Sequence, residues 1–167
     1  MYAISTPIIW HEETRIDAAQ LLDRVLADEF VLSTVTRDFH WTVTGPQFRS
    51  LHELFGEQYH QLDQWLEKIV DRARALSLSV RTGWKALTET SRNIPIGGAT
   101  LSPRNMMLAL IALHEAVAER LRANLKSSLH DDQPAAFHEL LNDLLEYHEI
   151  TGWLLAELLE DRELAQA

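Results

Sequence analysis

Residues 48–76 contain one glycine, Gly56, and no proline, and Leu, Glu, Gln, Lys, Arg and Ala dominate the run. A stretch of this composition predicts a single long helix, and a chain carrying it is committed to helical packing. Each helical residue turns the chain by about 100°. With His52 set at zero, Asp63, Gly56, Glu67, His60 and Asp71 fall at roughly 20°, 40°, 60°, 80° and 100°. One narrow face therefore carries two imidazoles and three carboxylates. Such a stripe is most often a solvated face, and periodicity alone does not say which face is buried. Against that reading, Leu54, Phe55, Tyr59, Leu62, Trp65, Leu66, Ile69 and Val70 occupy much of the remaining circumference. Imidazole and carboxylate together suit iron, zinc and manganese, so the face is a candidate metal site.

The same stretch carries a family resemblance. Phe39-His40-Trp41 is followed by Gly45-Pro46 and Phe48, then by Leu51-His52-Glu53-Leu54-Phe55, then by an acidic pair four apart and Arg72-Ala73-Arg74-Ala75-Leu76. In order and spacing these five sub-motifs resemble the Dps family of mini-ferritins. Beyond them, Trp153 in HEITGWLL adds support. The resemblance implies a four-helix subunit assembled into a hollow shell of twelve, with iron oxidised at sites shared between two-fold-related subunits. It implies His40, His52, Glu67 and Asp71 as ferroxidase ligands, the last two with their residue types exchanged relative to the family. Gly56 is the departure, because it stands where the family has an aspartate ligand. His60, one turn beyond Gly56 on the same face, is the candidate replacement, and Asp63 lies between it and Glu67. Imidazole in place of carboxylate shifts the preference from hard ions toward Zn or Fe(II), so zinc becomes a candidate competitor of iron. The alternative is a weakened or lost site in a non-catalytic shell.

The rest of the chain fits an all-α, antiparallel four-helix bundle of the ferritin-like kind, with a long central crossover that carries a short helix. The 167 residues, 46% of them hydrophobic, fit one domain: an arm at 1–14, a bundle at 15–163 and a short tail at 164–167. The first helix is expected over residues 17–42, with Leu21, Leu22, Val25, Leu26, Phe30, Leu32 and Val35 on its apolar face and His40 near its end. Gly45-Pro46 stops it and turns the chain, so that His40 and His52 face each other from adjacent helices. Residues 77–102 are too long a connection for an idle turn, and 84–89 form a candidate crossing helix. Ser102 and Pro103 supply an N-cap and a first helical residue for a helix ending near residue 128, with Met107, Leu108, Leu110, Ile111, Val117, Leu121 and Leu125 as core. The last helix is expected over 134–163, with Leu140, Leu141, Leu144, Leu145, Trp153, Leu154, Leu155 and Leu158 packing inward.

The remaining histidines carry less information. His114 reads as a satisfied core residue and His11 as a surface one, while His148 is left open between the interior of a shell and the surface. Asp131, Asp132 and Glu139 are candidates for the lining of a cation channel, which the resemblance places at this end of the helix pair; capping is the commoner role of such aspartates. Trp41 and Trp65 are candidate electron donors near the metal face, although large aromatics more commonly pack.

Charge and composition set limits on function. A net charge of −10 and an arm without lysine argue against DNA binding, which draws its affinity from Lys and Arg contacts to phosphate. The same charge is compatible with drawing in cations. With no cysteine, disulfides and thiolate metal sites are excluded. No apolar run approaches the roughly 18 residues of a membrane span, and no signal peptide is recognisable, so a cytoplasmic protein is expected. A single Glu-x-x-His, at Glu57–His60, is one too few for a di-metal site inside one bundle. That count favours a site shared between copies of the chain. The expected function is oxidation of Fe(II) by peroxide or oxygen and storage of the ferric product in a homo-oligomeric shell, expected to be a dodecamer.

Overall fold

A computed structural model describes residues 11–92, 101–127 and 133–160. Five helices account for most of them: α1 (Glu12–Thr42), α2 (Phe48–Ala75), α3 (Trp84–Thr90), α4 (Pro103–Ser127) and α5 (Ala135–Glu160). No strand occurs among the described residues.

The helix ends follow local chemistry. α1 begins at Glu12, five residues before the expected start, because nothing between the two positions breaks a helix and Glu12 and Glu13 complement the positive end of the helix dipole. Arg15 adds an i,i+3 ion pair to Glu12 at 2.8 Å. Gly45 makes the turn into α2 at φ +100°, a backbone conformation open to glycine and strained for most other residues. α2 closes in a Schellman arrangement, with Leu78 N–H donating to Ala73 C=O and Ser77 N–H to Arg74 C=O. Ser77 takes the left-handed position, φ 58°, that glycine usually fills. Ser102 caps α4, its Oγ accepting from Asn105 N–H at 3.2 Å, with Pro103 as the first helical residue.

α1 and α2 form one hairpin and α4 and α5 another; the hairpins close on each other through α1 against α4 and α2 against α5. α3 crosses α1, with Trp84 edge-on to Phe30 at 5.7 Å. The crossover is tied down by a buried carboxylate: Asp28 accepts from Arg92 N–H at 2.6 Å and pairs with the guanidinium groups of Arg92 and Arg120. The segment that follows α3 and helix α4 are thus both pinned to one point of α1.

The core is divided. One apolar cluster joins Leu22, Val25 and Leu26 of α1 to Trp65 and Ile69 of α2, Val117 and Leu121 of α4, and Leu140, Leu141 and Leu144 of α5. A second joins Leu32, Val35 and Phe39 to Phe55 and Leu62, to Met106, Met107 and Leu110, and to Leu155. Between them, in sequence on each helix, sit Glu29, His114 and His148, all buried. His148 is therefore a residue of the bundle core, which is neither the shell interior nor the surface that the sequence left open. Several expected core residues point outward instead: Trp153 is 59% exposed, and Leu108, Leu154 and Leu158 are also exposed. They lie on helical faces that no neighbouring helix covers among the described residues.

Candidate metal centre

His40 lies in the last turn of α1 and His52 in the second turn of α2, and the tight connection at Gly45 brings their imidazoles together. The rings stack with centroids 3.7 Å apart and planes 22° from parallel. Each reaches across to the other helix: His40 Nδ1 is 2.7 Å from the carbonyl oxygen of His52, and His52 Nδ1 is 2.8 Å from the carbonyl oxygen of His40. A carbonyl only accepts, so both Nδ1 atoms carry the hydrogen. In the neutral rings Nε2 is then an unprotonated lone pair, which is the form that binds a metal. Backbone carbonyls thus fix the tautomer and orientation of both imidazoles, the arrangement that second-layer partners give to histidines in metal sites.

Around this pair lies a layer that the sequence did not disclose. Tyr59 stands edge-on to the His40 ring at 5.3 Å and touches His60 at 4.2 Å, and the Arg37 guanidinium lies over the Tyr59 ring at 4.7 Å. Arg37 also pairs with Asp63, whose other oxygen accepts from Ser33 Oγ at 2.6 Å. Asp63 is therefore engaged with α1. His60, Asp63, Gln64, Leu66 and Glu67 line an open groove along α2.

The structure brings together some of the expected site residues and separates others. His40 and His52 form a pair, with His60 linked to it through Tyr59. Glu67 and Asp71 are exposed on the same helix. Fifteen residues of helix place Glu67 about 22 Å along the axis from His52, so within one chain they do not share an ion. Consistently, no group of three or more His, Asp or Glu side chains able to hold a metal occurs among the described residues. Trp41 adjoins His40 but is 70% exposed, while Trp65 is buried in the first apolar cluster beside Tyr147. Glu139 is exposed and pairs with Arg72 at 3.7 Å; Asp131 and Asp132 lie outside the described residues. Among the described residues no helix is long and apolar enough to cross a membrane.

The ferritin-like domain family matches residues 19–165, nearly the whole chain. A low temperature-induced protein of Nostoc sp. is 31% identical over 156 residues, covering 92% of this chain and 86% of its own length. DNA protection during starvation protein 2 of Bacillus anthracis is 29% identical over 126 residues, covering 75% and 82%. The fold superposes on DpsC from Streptomyces coelicolor with a TM-score of 0.86 at 21% identity, covering 94% and 91% of the two chains. Dps from Thermosynechococcus elongatus superposes with a TM-score of 0.81 at 23% identity, covering 87% and 92%. The chain belongs to the Dps mini-ferritins of the ferritin-like family.

A second histidine pair lies in the core of the bundle. His148 Nε2 lies 2.6 Å from Glu29 Oε1, and His148 Nδ1 lies 2.9 Å from His114 Nδ1. Burial, and then the neighbouring His148, hold the His114 imidazole well below its ordinary pKa. Burial, with Glu29 second, pushes the Tyr147 phenol up. The heptad phase contains a signal for this cluster: Glu29 is spaced three and four residues from Leu26, Val25 and Leu32, and His148 four and seven residues from Leu144 and Leu141.

Proposed function

We propose that this mini-ferritin oxidises Fe(II) and stores the ferric product inside a homo-oligomeric shell. The oxidation site is shared between copies of the chain. His40 and His52 of one subunit supply two imidazoles, and Glu67 and Asp71 of a neighbour supply carboxylates, with His60 and Asp63 at the margin. The observation that carries this reading is the locked pair: both Nδ1–H groups are committed to backbone carbonyls, which leaves two Nε2 lone pairs with no other assigned task. The 22 Å or so between His52 and Glu67 along one helix supports a site completed by a second copy.

Iron is substrate here. Two Fe(II) ions each give up one electron, and peroxide takes both together with two protons to become two waters; oxygen is the alternative oxidant. The chain's part is to bind Fe(II) through neutral imidazole and carboxylate, which holds the ions in place for electron loss. The exposed acidic residues of the α2 face favour cation approach. The charge of −10 and the lysine-free arm support a protein that does not condense DNA.

A second reading is a shell whose site holds zinc and does not oxidise iron. Gly56 offers no ligand, and Asp63 is already paired with Arg37, which favours an imidazole-dominated site. Anaerobic Fe(II) titration of the apo-protein, followed by peroxide or air in separate samples, decides between the two. Oxidation faster than iron alone, lost in His52→Ala, is the expected result. Oxidation no faster than in protein-free buffer overturns the first reading, and tight zinc binding in that same protein establishes the second.

A further inference from the structure

Gly56 sits buried in the middle of α2, where glycine weakens a helix relative to alanine. Its backbone does not require glycine, since Gly45 is the glycine with positive φ among the described residues. The space around it does. A Cβ built at Gly56 would lie 3.1 Å from His40 Nδ1 and 3.2 Å from His40 Cε1, closer than ordinary van der Waals contact. The ring it meets has little room to yield. One edge is hydrogen-bonded to the His52 carbonyl, one face stacks on His52, and Tyr59 stands against it. Gly152, the other buried helical glycine, is different: a Cβ there meets only His114 Cβ at 3.7 Å, an ordinary contact.

We infer that Gly56 is a positioning residue for the metal centre: its missing side chain is what lets His40 seat against α2 with Nδ1 on the His52 carbonyl and Nε2 left for the ion. The inference rests on the reading of His40 and His52 as ligands. It also explains the ligand chemistry. Any side chain at 56, a carboxylate included, competes with the His40 ring for the same space. With glycine at 56 the chain offers two stacked imidazoles and no carboxylate from that position, a set suited to Zn(II), Co(II) and Fe(II) more than to hard, oxygen-seeking ions.

The test uses the full-length apo-protein as Gly56→Ala, His40→Ala, the double variant and Gly152→Ala. Readouts are the apo melting temperature, Zn(II) affinity by calorimetry and the Co(II) absorption spectrum. Gly56→Ala is expected to lower Zn(II) affinity at least about tenfold and to alter the Co(II) spectrum, as loss of a ligand-orienting contact does. In the His40→Ala background the same change is expected to have no further effect on affinity. Gly152→Ala leaves affinity unchanged. If Gly56→Ala melts below wild type, the opposing ring is the cause and the double variant regains the lost temperature; a double variant that stays destabilised overturns the inference. So does unchanged Zn(II) affinity in Gly56→Ala when His40→Ala abolishes it, and that outcome leaves the ligand reading standing. Zn(II) affinity indifferent to His40→Ala overturns both.

Discussion

The molecule holds two pairs of histidines, and they differ in nearly every physical respect. At the turn end of the α1–α2 hairpin, His40 and His52 are half-buried and stacked, each with Nδ1 spent on a backbone carbonyl and Nε2 uncommitted. In the middle of the bundle, His114 and His148 are fully buried and share one hydrogen between their Nδ1 atoms, and the remaining nitrogen of His148 faces Glu29. The outer pair leaves half-exposed lone pairs; the inner pair spends three of its four nitrogens on one another and on a carboxylate, and the fourth, His114 Nε2, is sealed in the core without a hydrogen-bond partner. Residue type does not separate a candidate ligand from a structural element here. What separates them is which nitrogen is already occupied, and whether water or an ion can reach the other.

Breaking the inner pair should give the largest effect. His148→Ala takes from Glu29 the hydrogen-bond partner of its Oε1, and stranding a buried polar group by deleting its partner costs about 1–3 kcal/mol, with the cavity left by the ring adding to it. Urea unfolding at fixed protein concentration would measure it. Zn(II) affinity at the outer pair should not move, and a loss there comparable to the His40→Ala loss would mean that the two pairs are coupled.

His40→Ala reverses the pattern. Zn(II) or anaerobic Fe(II) affinity should fall at least tenfold, equivalent to about 1.4 kcal/mol, and apo stability should change by less than this. A stability loss as large as that of His148→Ala would sink the distinction between the pairs.

Acid titration sharpens the contrast. In the unfolded chain His114 takes up a proton below about pH 6.5, while in the fold its pKa is depressed. The unfolded state therefore binds more protons, and stability, complete above pH 6.5, falls as pH drops below it, by up to about 1.4 kcal/mol per pH unit until the folded pKa is reached. Chemical denaturation of wild type and His114→Gln between pH 7.5 and 5 should show the slope shrinking in the variant. Equal slopes would assign the acid sensitivity elsewhere.

The smallest effect concerns the margin of the outer site. Asp63→Asn weakens a partly exposed ion pair with Arg37, for which a cost under about 1 kcal/mol is expected. If the carboxylate is occupied by α1 and not by metal, Zn(II) affinity should stay within about twofold, well under the 1.4 kcal/mol of a tenfold change. A fall as large as that of His40→Ala would make Asp63 a ligand.

The helical bundle was legible because its signals are local. Periodicity, the Gly45-Pro46 stop and the Ser102-Pro103 start marked the helices, and the boundaries within the described residues moved by only a few residues, most of all at Glu12, while the expected ends near 128 and at 163 lie outside them. The outer pair was legible because its motifs are short and its residues lie on one hairpin. Tyr59, Arg37 and Ser33 went unseen because their roles are defined by a neighbour on the other helix. The inward assignment of Trp153, Leu154 and Leu158 failed for a related reason. An apolar residue near a helical stripe is buried only if some surface covers it, and among the described residues none does.

By itself the sequence determined that this chain is helical, where its hairpins turn and which imidazoles and carboxylates share the face of α2, because these follow from backbone chemistry and a 3.6-residue period. Only the tertiary structure decided that Gly56 makes room for a ring from another helix, that Asp63 is already bound, and that His148 belongs to the core. Each depends on a distance between side chains from different helices, and a linear pattern contains no such distance.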